Sequence, residues 1–143
     1  MKVQQISVFL ENRRGRLAAV TGCLGNQGIN IRAFSIADTS DFGILRLIVT
    51  DPQSAYRTLK AEGFTVSVTD VIAVEVPDEP GGMARVLELV HQAEVDIEYL
   101  YAFVRKRSDN ALVILRLEDF ERAEHIFAQN GVRVVPSDEV YAM

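Results

Sequence analysis

Apolar and polar residues alternate from Val3 to Leu10, with Ile6, Val8 and Leu10 on one face and Gln5, Ser7 and Phe9 on the other. This is the period of a half-buried strand. A polar turn, Glu11 to Gly15, leads into Arg16–Gln27, where Leu17, Val20 and Cys23/Leu24 fall at helical spacing and Gly28 supplies a C-terminal cap. Gly22 and Gly25 inside that helix each cost roughly 1 kcal/mol relative to Ala, so close packing against another element is expected there. Ile29–Ala37 and Gly43–Val49 read as strands joined by a turn, Asp38-Thr39-Ser40-Asp41. Thr50-Asp51-Pro52 starts a second helix, with Ala55, Tyr56 and Leu59 as its buried stripe and Gly63 as its end. Phe64–Val68 is a fourth strand, giving the order β-α-β-β-α-β.

The order then repeats. Val71–Val76 is a strand, and Met83, Val86, Leu87 and Val90 mark a helix face. Val95–Arg105 and Ala111–Leu117 are strands, and Asp119 caps a helix carrying Phe120, Ala123, Ile126 and Phe127. Asn130-Gly131 closes it before a last strand, Val132–Val135, and the tail from Pro136 is extra, expected to lie over a surface. Under a shift of 66, Ile6 meets Ile72, Gly15 meets Gly81, Val20 meets Val86 and Ile31 meets Ile97. After two added residues near Ser108 the shift is 68, and Leu47 meets Leu115, Asp51 meets Asp119 and Gly63 meets Gly131. Two copies make a pair of small domains, since a solenoid needs about three or more repeats. The expected modules are 1–69 and 70–143, the latter with a short C-terminal tail. Each is an antiparallel four-stranded sheet with helices on one face, the α+β arrangement called ferredoxin-like. A break is expected around Thr69-Asp70, with no linker. Units this small bury a modest share of their surface, so they are expected to pack on each other and in a homodimer.

Charge and composition narrow the function. The net charge of −5 and pI near 5.0 disfavour a nucleic-acid partner, which needs dense basic patches. The basic clusters are Arg13-Arg14 with Arg16, and Arg105-Lys106-Arg107. One cysteine, Cys23, excludes an intrachain disulfide and an iron–sulfur cluster, and His91 and His125 lie on helices without a nearby thiol, so no metal and no cofactor are expected. No apolar run approaches a membrane span and no signal segment precedes the first strand, which points to the cytoplasm. Catalytic motifs are lacking: there is no Cys-His pairing, no phosphate-cradling loop and no H-E-x-x-H.

The remaining chemistry lies in the first strand-to-helix turn of each half, Glu11-Asn12-Arg13-Arg14-Gly15-Arg16-Leu17 and Asp78-Glu79-Pro80-Gly81-Gly82-Met83. A glycine at a helix mouth admits a ligand close to the backbone, and the first-turn amides favour a carboxylate. Asn12 or Asp78 on the turn can take a ligand amine, and Asn30 or Asp96 can hydrogen-bond it from the next strand. Leu17, Ile31, Met83 and Ile97 can shape an apolar pocket. Equally open is the plainer reading, in which Gly15 and Gly81 serve only the turn, the Asx residues cap helices, and Arg13, Arg14 and Arg16 form a solvated charged face.

These motifs resemble the ACT-domain family, regulatory amino-acid-binding modules of amino-acid metabolism. Asp78-x-Pro80-Gly81-x-Met83 resembles the family's turn, and Gly28-Ile29-Asn30-Ile31 its lead-in to the second strand, with Glu94-Val95-Asp96-Ile97 as the counterpart. The arginines depart from that pattern, where a proline is common. The resemblance covers nearly the whole chain. It implies a stand-alone tandem protein that binds a free amino acid at a module interface, with Asn12, Arg14, Gly15, Arg16, Leu17, Asn30, Ile31, Asp78, Gly81, Gly82, Met83, Asp96 and Ile97 as ligand-binding candidates. A homodimer and a regulated partner enzyme are further expectations. The competing reading is a ligand-free module that docks on another protein.

Overall fold

A computed structural model describes residues 2–38, 41–103 and 109–143. The elements run β1 (Val3–Glu11), α1 (Arg16–Asn26), β2 (Ile31–Asp38), β3 (Phe42–Val49), α2 (Pro52–Ala61), β4 (Thr65–Pro77), α3 (Gly82–Gln92), β5 (Ile97–Ala102), β6 (Asn110–Leu117), α4 (Phe120–Gln129), β7 (Val134–Val135) and α5 (Ser137–Ala142). The chain divides into two compact units, a first of Gln4–Thr69 and a second built on Asp70–Tyr141. Each is a β-α-β-β-α-β module with antiparallel strands.

In the first unit the strand order is β2-β3-β1-β4. Ile6 sits opposite Leu47 and Val8 opposite Leu45, so one face of the sheet presents these residues to α1 and α2. Val20 and Leu24 of α1, and Ala55 and Leu59 of α2, complete that core. Asp51 caps α2 with its carboxylate, which accepts from the Ser54 amide at 3.1 Å and the Ser54 hydroxyl at 2.7 Å. Those two bonds hold the Asp51 carboxyl below its ordinary range.

The second unit orders its strands β7-β4-β6-β5. Its core gathers Ile72, Val74, Val113, Leu115 and Leu117 from the sheet with Val86, Val90, Ala123 and Phe127 from α3 and α4. Asp119 caps α4 through the Arg122 amide at 3.1 Å.

Several expectations change. The break at Thr69-Asp70 is absent: β4 is one strand of thirteen residues, Thr65–Pro77. A polar pair interrupts an apolar pattern without interrupting a backbone, because alternate strand positions face solvent. Gly22 and Gly25 are exposed, and a Cβ at either would meet nothing within 4 Å; the close packing expected of them does not occur among the described residues. The last strand shortens to Val134–Val135, and β5 spans Ile97–Ala102, with Val104 and the Arg105-Lys106-Arg107 cluster outside the described residues. Thr39 and Ser40 of the first hairpin turn also lie outside them.

The tail forms α5. Arg133 shares a sheet face with Val135, opposite the helices, and its guanidinium bridges Glu75 of β4 (3.0 Å) and Glu139 of α5 (2.7 Å). Val140 is fully buried. The short helix therefore lies on the sheet face that α3 and α4 leave open. On the corresponding face of the first unit, Phe9 and Phe42 stack at 4.9 Å beside Ile44, and all three are 38–48% exposed.

Candidate functional site

The two helix mouths share one backbone. Gly15 caps α1 at φ 86°, ψ −12°, and Gly81 caps α3 at φ 84°, ψ −6°. Both are left-handed conformations that a side chain disfavours. In each case the cap carbonyl accepts the first helical bond, Ala19 N–H to Gly15 at 2.9 Å and Arg85 N–H to Gly81 at 3.0 Å. Neither helix has a side-chain cap. Helix geometry leaves the Leu17 and Ala18 amides, and the Met83 and Ala84 amides, without intrahelical acceptors.

The charge around the mouths differs. The first turn carries Glu11 with Arg13, Arg14 and Arg16, one carboxylate against three guanidiniums. Arg13 pairs with Glu11 at 3.0 Å, Arg14 is exposed, and the Arg16 guanidinium lies 4.8 Å over the Phe64 ring. The Asn12 amide donates to the Asp41 carbonyl at 2.8 Å, so this turn sits beside the β2–β3 hairpin. Leu17 is 43% exposed at the mouth. The second turn carries Asp78 and Glu79 with Arg85, and Arg85 pairs with Glu79 at 2.7 Å. Gly82 is buried, and a Cβ there would overlap the Pro77 carbonyl oxygen. Met83 packs against the second core.

Asn30 and Ile31 stand elsewhere. Asn30 donates its backbone N–H to the Thr50 hydroxyl (3.1 Å), accepts the Thr50 amide (3.0 Å), and accepts the Ile31 amide on its side chain (2.9 Å). Thr50 follows the far end of β3 from Phe42, which pairs with Glu11. The eleven-residue α1 thus separates Asn30 from Gly15 by about 16 Å, at 1.5 Å per residue. Asp96 and Ile97 hold the equivalent place, where the Asp96 carbonyl accepts the Glu118 amide at 3.1 Å. Within one unit, the mouth residues come together and the Asn30 or Asp96 pair does not join them. Before Asp96, Glu94 adopts φ 58°, where the first unit has Gly28 at φ 71°.

The second unit also contains an open cleft of about 670 Å³. Gly82 lines it, together with residues the sequence did not single out, among them Glu75, Glu88, Leu89, Val132 and Arg133. Among the described residues no three His, Cys, Asp or Glu side chains form a metal-binding group, and no helix is long and apolar enough to cross a membrane. Burial, with Glu62 nearby, pushes the Cys23 thiol up, which keeps it protonated at neutral pH.

Residues 1–143 match the family model of an ACT domain pair. The chain belongs to that family. The crystal structure of protein BT0572 from Bacteroides thetaiotaomicron is 38% identical over 100% of this chain and 98% of that one, with a TM-score of 0.93. The regulatory subunit of aspartate kinase from Thermus thermophilus, in ligand-free form, is 21% identical over 88% of this chain and 91% of its own (TM-score 0.64). Aspartate kinase from Synechocystis is 19% identical, with 95% of this ACT pair matched to 27% of that enzyme (TM-score 0.62). The latter two share the fold. Among curated proteins no sequence matches the chain.

Proposed function

We propose that this ACT pair is a regulatory protein, without catalysis of its own, that binds a free amino acid at the mouth of α1 and relays its presence to an enzyme of amino-acid metabolism. The observation that carries this reading is the uncapped helix start at Gly15, in a turn whose sequence holds Arg13, Arg14 and Arg16. The Leu17 and Ala18 amides and the Arg14 guanidinium would hold the carboxylate, through charge-assisted bonds at the positive helix end. Asn12 would meet the amine. At Gly81 the same backbone faces Asp78 and Glu79, which disfavour a carboxylate, so Asp78, Gly81, Gly82 and Met83 form the weaker mouth.

The family resemblance puts ligands between modules, and the 16 Å separation gives a reason: one module cannot bring its mouth and its Asn30 to the same small molecule. In this reading the protein is a cytoplasmic homodimer in which Asn30 and Ile31 reach the ligand from a second copy, with Asp96 and Ile97 as the paler equivalents. A thermal-shift screen against the twenty amino acids tests it, since a ligand of the folded state raises stability by mass action. Arg14→Ala should weaken the hit about tenfold, the loss expected for a charge-assisted bond. Mixing Arg14→Ala with Asn30→Ala should restore about a quarter of the sites, because half the dimers are mixed and each has one intact site. No hit at all would favour a docking module without a ligand, a reading favoured by the exposed Phe9, Phe42 and Ile44.

A further inference from the structure

We propose that the cleft of the second unit binds a small organic cation with an apolar stem, an alkylguanidinium or alkylammonium, at a site separate from the amino-acid mouth. The cleft opens where the sheet runs out. β7 pairs with only Ala73 and Val74 of β4, and Pro77 has no amide to extend the edge. The gap between that edge and α3 is floored by Pro77, Val86, Leu89 and Val132.

The internal repeat shows what such a space accepts. Gly82 aligns with Arg16 under the shift of 66, and Val132 aligns with Phe64 under the shift of 68. In the first unit these two side chains stack, guanidinium over ring at 4.8 Å. In the second unit one partner has no side chain and the other is small, and both line the open cleft. At Gly82 the Pro77 carbonyl closes the path a side chain would take, so the open space lies over Val132, where the first unit has the Phe64 ring beneath a guanidinium.

Charge points the same way. Glu75 and Glu88 line the cleft, and its two arginines are already tied to carboxylates, Arg85 to Glu79 and Arg133 to Glu75 and Glu139. Two carboxylates and two guanidiniums line the cleft, and Glu79 and Glu139 outside it complete the arginines' pairing. Glu88 makes no ion pair among the described residues, and Asn130 donates its side-chain amide to the Ile126 carbonyl (2.8 Å), which leaves its oxygen as an acceptor. A cation therefore has a carboxylate and an amide oxygen to meet, and an anion has no unpaired guanidinium. The volume suits a small molecule with a body of several carbons.

The test is an amide-resolved NMR titration of the full chain with n-butylguanidinium, with butyrate and 1-butanol as controls. The expected result is saturable shifts at Gly82, Leu89 and Gly131, weakened about threefold in Glu88→Gln as for one exposed ion pair. Val132→Phe, which places the first unit's ring in the cleft, should abolish binding. Absence of saturable shifts, equal shifts with butyrate or 1-butanol, or undiminished binding in a folded Val132→Phe would overturn the proposal. If Val132→Phe does not fold, Glu88→Gln and Asn130→Ala carry the test, and full binding in both refutes it.

Discussion

At the start of its first helix the first unit sets Arg16 against Phe64, and the second sets Gly82 against the Pro77 carbonyl with Val132 nearby. The flanking glycines, at φ 86° and 84°, are superimposable in conformation. Duplication has kept what the backbone demands and released what it does not. The positive-φ caps persist because few side chains tolerate them. The surrounding charges have diverged, basic at the first mouth and acidic at the second. One unit stacks a guanidinium on a ring beside a turn with three arginines, while the other has an open cleft and two carboxylates in its turn.

The largest effect should come from seating a side chain at the tightest of these points. Gly82→Ala forces a Cβ into the Pro77 carbonyl and should cost about 3 kcal/mol, the upper range for overpacking. Arg16→Ala at the matching position should cost about 1 kcal/mol, a single half-buried cation–π contact. Urea unfolding measures both, and equal losses would break the comparison. Gly15→Ala and Gly81→Ala should lose about 1–2 kcal/mol each and by the same amount, the strain of a left-handed residue. A clear difference in their melting temperatures would mean that the two mouths are not alike. At the other end of these helices the signs should oppose: Gly28→Ala destabilises and Glu94→Gly stabilises, each by about 1 kcal/mol. Glu94 holds φ 58° without being glycine.

A similar loss is expected at the Asp51 cap, where Asp51→Ala should cost about 1 kcal/mol. Because the folded state lowers this carboxyl's pKa, its contribution is present above the unfolded carboxylate range and is lost as pH falls through the folded value. Acid titration of stability should therefore show the Asp51→Ala penalty shrinking below about pH 4, near the ordinary carboxylate pKa. A penalty unchanged at lower pH would contradict the ionised-cap account.

Much of this fold is legible in the chain because each element's period matches its burial. Ile6, Val8 and Leu10, and likewise Val86 and Val90, are buried where alternation or helical spacing puts them. What escaped the sequence depends on distance through space. Nothing local reveals that Thr69-Asp70 continues a strand, or that Gly22 and Gly25 face open solvent. The candidate site was legible as a turn, since a glycine before a helix start marks a positive-φ cap. Its composition was less so. Asn30 belongs to the same motif yet lies a helix length from Gly15, which spacing along the chain does not disclose. Arg16 reads as one more cation for a carboxylate until Phe64, 48 residues on, is found beneath it. The second unit's cleft has no sequence motif of its own, because its lining comes from segments as far apart as Glu75 and Arg133.

The central claim is that the first mouth, and not the second, receives a free amino acid. The most direct measurement is an amide-resolved NMR titration of the full chain with each of the twenty amino acids in turn. The account predicts that at least one gives saturable shifts at Leu17 and Ala18 while Met83 and Ala84 stay in place. Shifts confined to Met83 and Ala84, or no saturable shift with any amino acid, would contradict it.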